Sequence, residues 1–138
     1  MVALQKVAWL EVCVAGTSIV LASALIPWLG HGATGAFGIL GGLGLSAVFL
    51  RGKANEIVID ERDQEIERLS RSRGIFVAWL FSYFVLLGLI LWAWKTQQPT
   101  ISTLLLTWVM WLQFALCYLV KGTSTLMTYR KQNSATSV

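Results

Sequence analysis

Along the chain, long uncharged runs alternate with short polar breaks. With His31 counted as neutral, no charged side chain occurs between Glu11 and Arg51, and the stretches Gly74–Trp94 and Thr96–Val120 are equally free of charge. A helix needs about 20 residues to cross about 30 Å of hydrocarbon. The pattern therefore predicts four spans, at about 7–28, 35–50, 75–94 and 101–120. The breaks agree with these limits. Pro27 and Gly30 close the first run, and Arg51, Gly52 and Lys53 the second. Lys95 with Pro99 close the third, and Lys121–Gly122 the fourth. Backbone groups in lipid must pair internally, which leaves helices or a closed barrel. The apolar runs have no period-two alternation, so helices are expected. The fold class expected is all-α, a four-helix transmembrane bundle in one domain, residues 1–138. A charged segment, 51–73, joins spans two and three, and the polar tail, 122–138, is expected to fray after Arg130.

Charge placement predicts the orientation. Of 11 Lys and Arg residues, the 51–73 segment holds Arg51, Lys53, Arg62, Arg68, Arg71 and Arg73. Lys6, Lys121, Arg130 and Lys131 fall on the same side, and Lys95 alone falls on the other. Short loops rich in Lys and Arg stay in the cytoplasm, so both ends are expected inside and the protein is expected in the cell inner (plasma) membrane as a multi-pass protein. Trp28, Trp92 and Trp94 then lie near the outer interface and Trp9 near the inner one. Only 13% of residues are charged, against roughly 25% in a soluble domain. The net charge of +4 calls for no nucleic acid, because anionic headgroups of the lipid bilayer are a sufficient partner. The first apolar run is expected to be a retained span rather than a cleaved signal, since Glu11 interrupts it and no A-x-A site leads into a polar chain. Cys13 and Cys117 both fall inside spans, where small apolar contacts, not a disulfide framework, are expected.

Span two carries Thr34, Gly38, Gly42 and Ser46 four residues apart, broadened by Gly35, Gly41 and Gly44. On an α-helix these small residues share a face and allow close backbone approach. The face suits a neighbouring helix of the same chain, a homo-oligomer seam or a glycine-lined groove. Gln113, in the middle of span four, is expected to hydrogen-bond another helix. Glu11 is expected at the inner headgroup level, or paired with Lys6 or a loop arginine, and His31 in a solvated turn.

The segment Asp60–Gly74 reads DERDQEIERLSRSRG, with acids early and bases late. That order suits a helix entered at Asp60 as N-cap, with Asp63 in the third position of a capping box. Glu67 and Arg71, four apart, can pair, as can Glu65 and Arg68, three apart. With Gly74 the only breaker, one helix from about 61 to 94 is expected, roughly 50 Å long. Its carboxylates are interleaved with arginines and joined by neither His nor Cys, so no metal site is expected. No nucleophile–base pair or nucleotide loop occurs, which points away from an enzyme and from any cofactor.

The pattern Asp60, Glu61, Arg62, Asp63, Ile66, placed just before an apolar span, resembles a group of small prokaryotic four-span membrane proteins of unknown function. Those proteins carry a D/E-E-R-D-x-x-I motif between spans two and three. The resemblance covers the layout of most of the chain, and its specific residues cover about 60–66. Some such proteins are encoded beside helix-turn-helix regulators, which implies a membrane partner that holds or controls a transcription factor. The function expected is a non-enzymatic interaction or regulatory subunit that docks a cytoplasmic protein through 56–73, with Asp60, Glu61, Arg62, Asp63 and Ile66 as docking positions. The alternative is a small transporter or channel subunit assembled as an oligomer through span two.

Overall fold

The computed structural model describes residues 3–46, 60–97 and 100–136. It is helical throughout, with no strand among the described residues. Helix α1 covers Ala3–Leu29, a 3-10 helix (η1) covers Gly30–Leu45, α2 covers Glu61–Thr96 and α3 covers Thr103–Thr136. The expectation of four α-helical spans is met in coarser form. Three helical stretches, Ala3–Leu45, Glu61–Thr96 and Thr103–Lys131, are long and apolar enough to cross a membrane. The first of these is α1 run together with η1.

The two parts of that stretch fold against each other. Gly30 takes a left-handed φ of +51°, a conformation glycine adopts without steric cost, and η1 returns along α1. Gly42 thus lies beside Val14. Pro27 does not end α1, which continues through it to Leu29.

Runs of 3-10 helix beyond a few residues are uncommon because side chains at i and i+3 eclipse. Here the sequence relieves that crowding. Gly35, Gly38, Gly41 and Gly44 stack in one column with no Cβ to collide, and around each an added Cβ would meet nothing within 4 Å. Phe37, Leu40 and Leu43 form a second column and are buried. They pack with Ala15, Ala22 and Ala115, while Phe37 meets the Trp108 ring edge-on at 5.7 Å and stacks on Trp111 at 6.2 Å. The expected face of Thr34, Gly38, Gly42 and Ser46 is therefore not one face. A four-residue step on a three-residue turn advances around the helix, leaving Gly38 open while Gly42 touches α1.

Helix α3 is central, packing on both α1 and α2 and touching η1. Buried α1 residues Leu4, Val7, Glu11, Ala15, Ser18 and Ala22 recur at three- and four-residue steps, as do Asp63, Ile66, Ser70, Gly74 and Ala78 on α2. Helix α2 is one element through the charged and apolar segments, as the sequence predicts. Asp60 caps it, its Oδ1 accepting from the Glu61 N–H at 2.8 Å. At its other end Gln97 takes φ +56° and donates to the carbonyls of Ala93 and Trp94. Helix α3 continues to Thr136, past the expected frayed point at Arg130, and Tyr129 near that point packs with Leu4 and Ile66.

Candidate functional site

The charged ends of α1, α2 and α3 converge on one polar junction. Each residue reaches it through its helix seam. Glu11 lies on the buried stripe of α1, Glu67 one position after buried Ile66 on α2, and Lys121 directly before buried Gly122 on α3. Lys121 Nζ donates to Glu11 Oε1 at 2.6 Å and lies 3.9 Å from Glu67 Oε1. Arg71 Nη2 donates to the same Glu67 oxygen at 2.6 Å. The result is an alternating chain, Glu11–Lys121–Glu67–Arg71, that sums to zero charge across three helices. Glu11 and Lys121 side chains are only 4% and 14% exposed, so each neutralises the other's cost of leaving water. The Tyr118 ring, with its centroid 5.9 Å from Nζ, adds a cation–π contact.

Two glycines set the helix spacing at this level. A Cβ on Gly74 would lie 2.6 Å from the Cys117 carbonyl oxygen, and a Cβ on Gly122 would lie 2.8 Å from that of Ala8. These positions bring α2 onto α3 and α3 onto α1 backbone-to-backbone, the role small residues play between membrane helices. That closeness lets the Lys121 side chain, which starts beside Gly122, reach carboxylates on both flanking helices.

One to two turns further on, Tyr129 donates its hydroxyl to Asp63 Oδ1, and Tyr129 joins Leu4 and Ile66 in a small apolar cluster. A cleft of about 460 Å3 opens beside the junction, lined on one side by Glu11, Glu67, Arg71 and Lys121 and on the other by apolar residues that include Leu40, Leu43 and Phe114.

The structure redistributes the expected site residues. Asp60, Glu61 and Arg62 are exposed. Asp63 and Ile66, by contrast, are buried, Asp63 hydrogen-bonded by Tyr129 and Ile66 clustered with Leu4 and Tyr129. Asp63 also gives its carboxylate to Tyr129 rather than to a capping box. Glu67 pairs with Arg71 as expected. Arg51, Lys53 and Glu56 lie outside the described residues. Thr34 donates to the His31 carbonyl at 3.0 Å, and Ser46 lines the cleft. Gln113 does not bridge helices among the described residues. It lines a groove of about 320 Å3 with Ala78, Trp79, Met110 and Cys117. Cys13 and Cys117 are free thiols, Cys13 exposed.

Sequence reasoning missed Lys121 as a bridging residue, and it missed Tyr129, Gly74 and Gly122. Glycines directly beside the charged ends of two apolar runs were the available signal. Among the described residues no group of His, Cys, Asp and Glu could hold a metal ion. The junction offers buried ion pairing, not a nucleophile beside a base. No family model matches the chain, and no curated protein or solved structure matches it either.

Proposed function

We propose that this chain is a non-enzymatic, four-crossing membrane protein, both ends cytoplasmic, that holds a rigid charged helix out to a cytoplasmic partner protein. The observation that carries the reading is the continuity of α2. It runs for 36 residues from the Asp60 cap through the apolar segment, and its charged half buries Asp63, Ile66 and Ser70, with Asp63 hydrogen-bonded by Tyr129 of α3. The opposite face presents Glu61, Arg62, Glu65, Arg68 and Leu69. A face held in register on a packed helix suits protein recognition better than a free polar tail. The docking set is accordingly Asp60, Glu61 and Arg62 with the next turn of the same face. The D-E-R-D-x-x-I resemblance supports a transcription regulator as the partner class.

Four crossings require η1 to span. At about 2 Å rise per residue its 16 residues reach about 32 Å, the thickness of the hydrocarbon core. Ten of the eleven Lys and Arg residues then face the cytoplasm of the inner membrane. Reporter fusions after residues 53, 97 and 136 test this. Cytoplasmic signals at 53 and 136 with an external signal at 97 are expected, and an external signal at 53 overturns it. Photo-crosslinkers placed in cells at Glu61, Arg62 and Glu65 are expected to capture one protein that the same probe at Ser70 does not. No capture from any exposed position ends the docking reading.

A second reading, a transporter or channel subunit, draws on the open glycine column Gly35, Gly38, Gly41 and Gly44, which suits assembly through η1. Replacing Gly38 and Gly41 with Leu would then dissociate an oligomer in mild detergent. A wild-type monomer there excludes this reading.

A further inference from the structure

On α2, Arg68, Arg71, Ser72, Ile75, Phe76 and Trp79 line a groove of about 560 Å3. Their spacing alternates three and one, so all six share one helix face, about 16 Å from end to end. The face is polar at one end and apolar at the other. Arg68 has no ion-pair partner among the described residues, Arg71 gives one nitrogen to Glu67 and is 62% exposed, and Ser72 has a hydroxyl. Below them Phe76 and Trp79 are 65% and 70% exposed, with Trp79 also bordering the groove that α2 shares with α3. The change from guanidinium to aromatic falls at Arg73–Gly74, where the last charge of the segment gives way to the apolar run.

We propose that this groove is a binding site for one anionic phospholipid. A phosphodiester headgroup fits between Arg68 and Arg71 with Ser72 donating to a phosphate oxygen, and an acyl chain lies over Ile75, Phe76 and Trp79. The polarity order of the groove is that of the lipid. A planar guanidinium matches two phosphate oxygens at once, and the quaternary ammonium of a phosphatidylcholine headgroup partly neutralises that phosphate. Arg68 carries most of the selectivity, since Arg71 is shared with Glu67.

The site rests on the reading of α2 as a membrane-crossing helix, and the reporter fusions test that reading separately. The test of the site is native mass spectrometry of the full chain released from nanodiscs of equal phosphatidylglycerol and phosphatidylcholine with matched acyl chains. The wild type is expected to retain phosphatidylglycerol preferentially. Arg68→Gln is expected to reduce that preference about tenfold, the worth of one charge-assisted contact. Arg73→Gln removes a nearby exposed charge that does not line the groove, and is expected to leave the preference within about twofold, since exposed charges in water contribute little. Equal retention of the two lipids by the wild type overturns the proposal. So does an equal loss in Arg68→Gln and Arg73→Gln, which would assign the effect to the general positive charge of this end. Both variants are checked for wild-type elution and helical circular dichroism before comparison.

Discussion

Replacing Lys121 with Met keeps the aliphatic stem and removes the charge that joins three helices. The magnitude follows from what is left behind. Glu11 has a side chain 4% exposed, and Lys121 is its hydrogen-bond partner among the described residues. Glu67 keeps Arg71 at 2.6 Å and is hardly disturbed. The cost is thus that of stranding one buried carboxylate, about 3–5 kcal/mol. Glu11→Gln should cost less, about 1–2 kcal/mol, because Lys121 retains Glu67 at 3.9 Å and the Tyr118 ring. The double variant removes both charges and should be more stable than Lys121→Met alone, with a coupling energy of about 2 kcal/mol. Reversible unfolding in mixed micelles, followed by the fluorescence of the seven tryptophans, gives all four values of the cycle. A Lys121→Met protein within about 0.5 kcal/mol of wild type, or a double variant equal to the sum of the singles, would refute the junction as the link between helices.

Gly74→Ala and Gly122→Ala should each cost about 3 kcal/mol, since a Cβ there meets a backbone carbonyl that moves only with its helix. Gly88→Ala, where a Cβ meets nothing within 4 Å, should be neutral or stabilising by up to about 1 kcal/mol in the same unfolding assay. Tyr129→Phe leaves the buried Asp63 carboxylate without its donor. It should cost about 1–3 kcal/mol and speed amide exchange across residues 61–70, and unchanged exchange would count against the clamp. Gln97→Gly should stabilise by about 1 kcal/mol by removing the left-handed strain at the α2 C-cap, raising the thermal midpoint in detergent.

Much of α2 was legible because its signals are local. The Asp60 cap, the Glu67–Arg71 pair and the absence of a breaker before Gly74 all act within a few residues of each other. The Glu11–Lys121 pair was not legible, since 110 positions separate its partners and only helix packing brings them together. The Asp63–Tyr129 contact was not legible either, since Tyr129 sits in a segment whose polar composition resembles a tail. The glycines of 35–44 support two periods at once. Gly38 and Gly42 lie on a four-residue repeat, while Gly35, Gly38, Gly41 and Gly44 lie on a three-residue repeat. Composition alone does not choose between them. The packing of Phe37, Leu40 and Leu43 onto Ala15 and Ala22 selects the three-residue repeat.

In the proposed four-crossing arrangement, that choice couples the width of the bilayer to the rotational phase of a core face. As a 3-10 helix the Gly30–Leu45 segment is about 32 Å long, while the same residues wound as an α-helix would reach only about 24 Å. The tighter winding turns each residue about 20° further, so conversion would also carry Leu40 and Leu43 away from α1. A thinner bilayer would favour the shorter form through hydrophobic mismatch. Shortening the segment and unseating its aromatic contact with Trp108 and Trp111 would then be one event, readable as a change in tryptophan emission between short-chain and long-chain lipids.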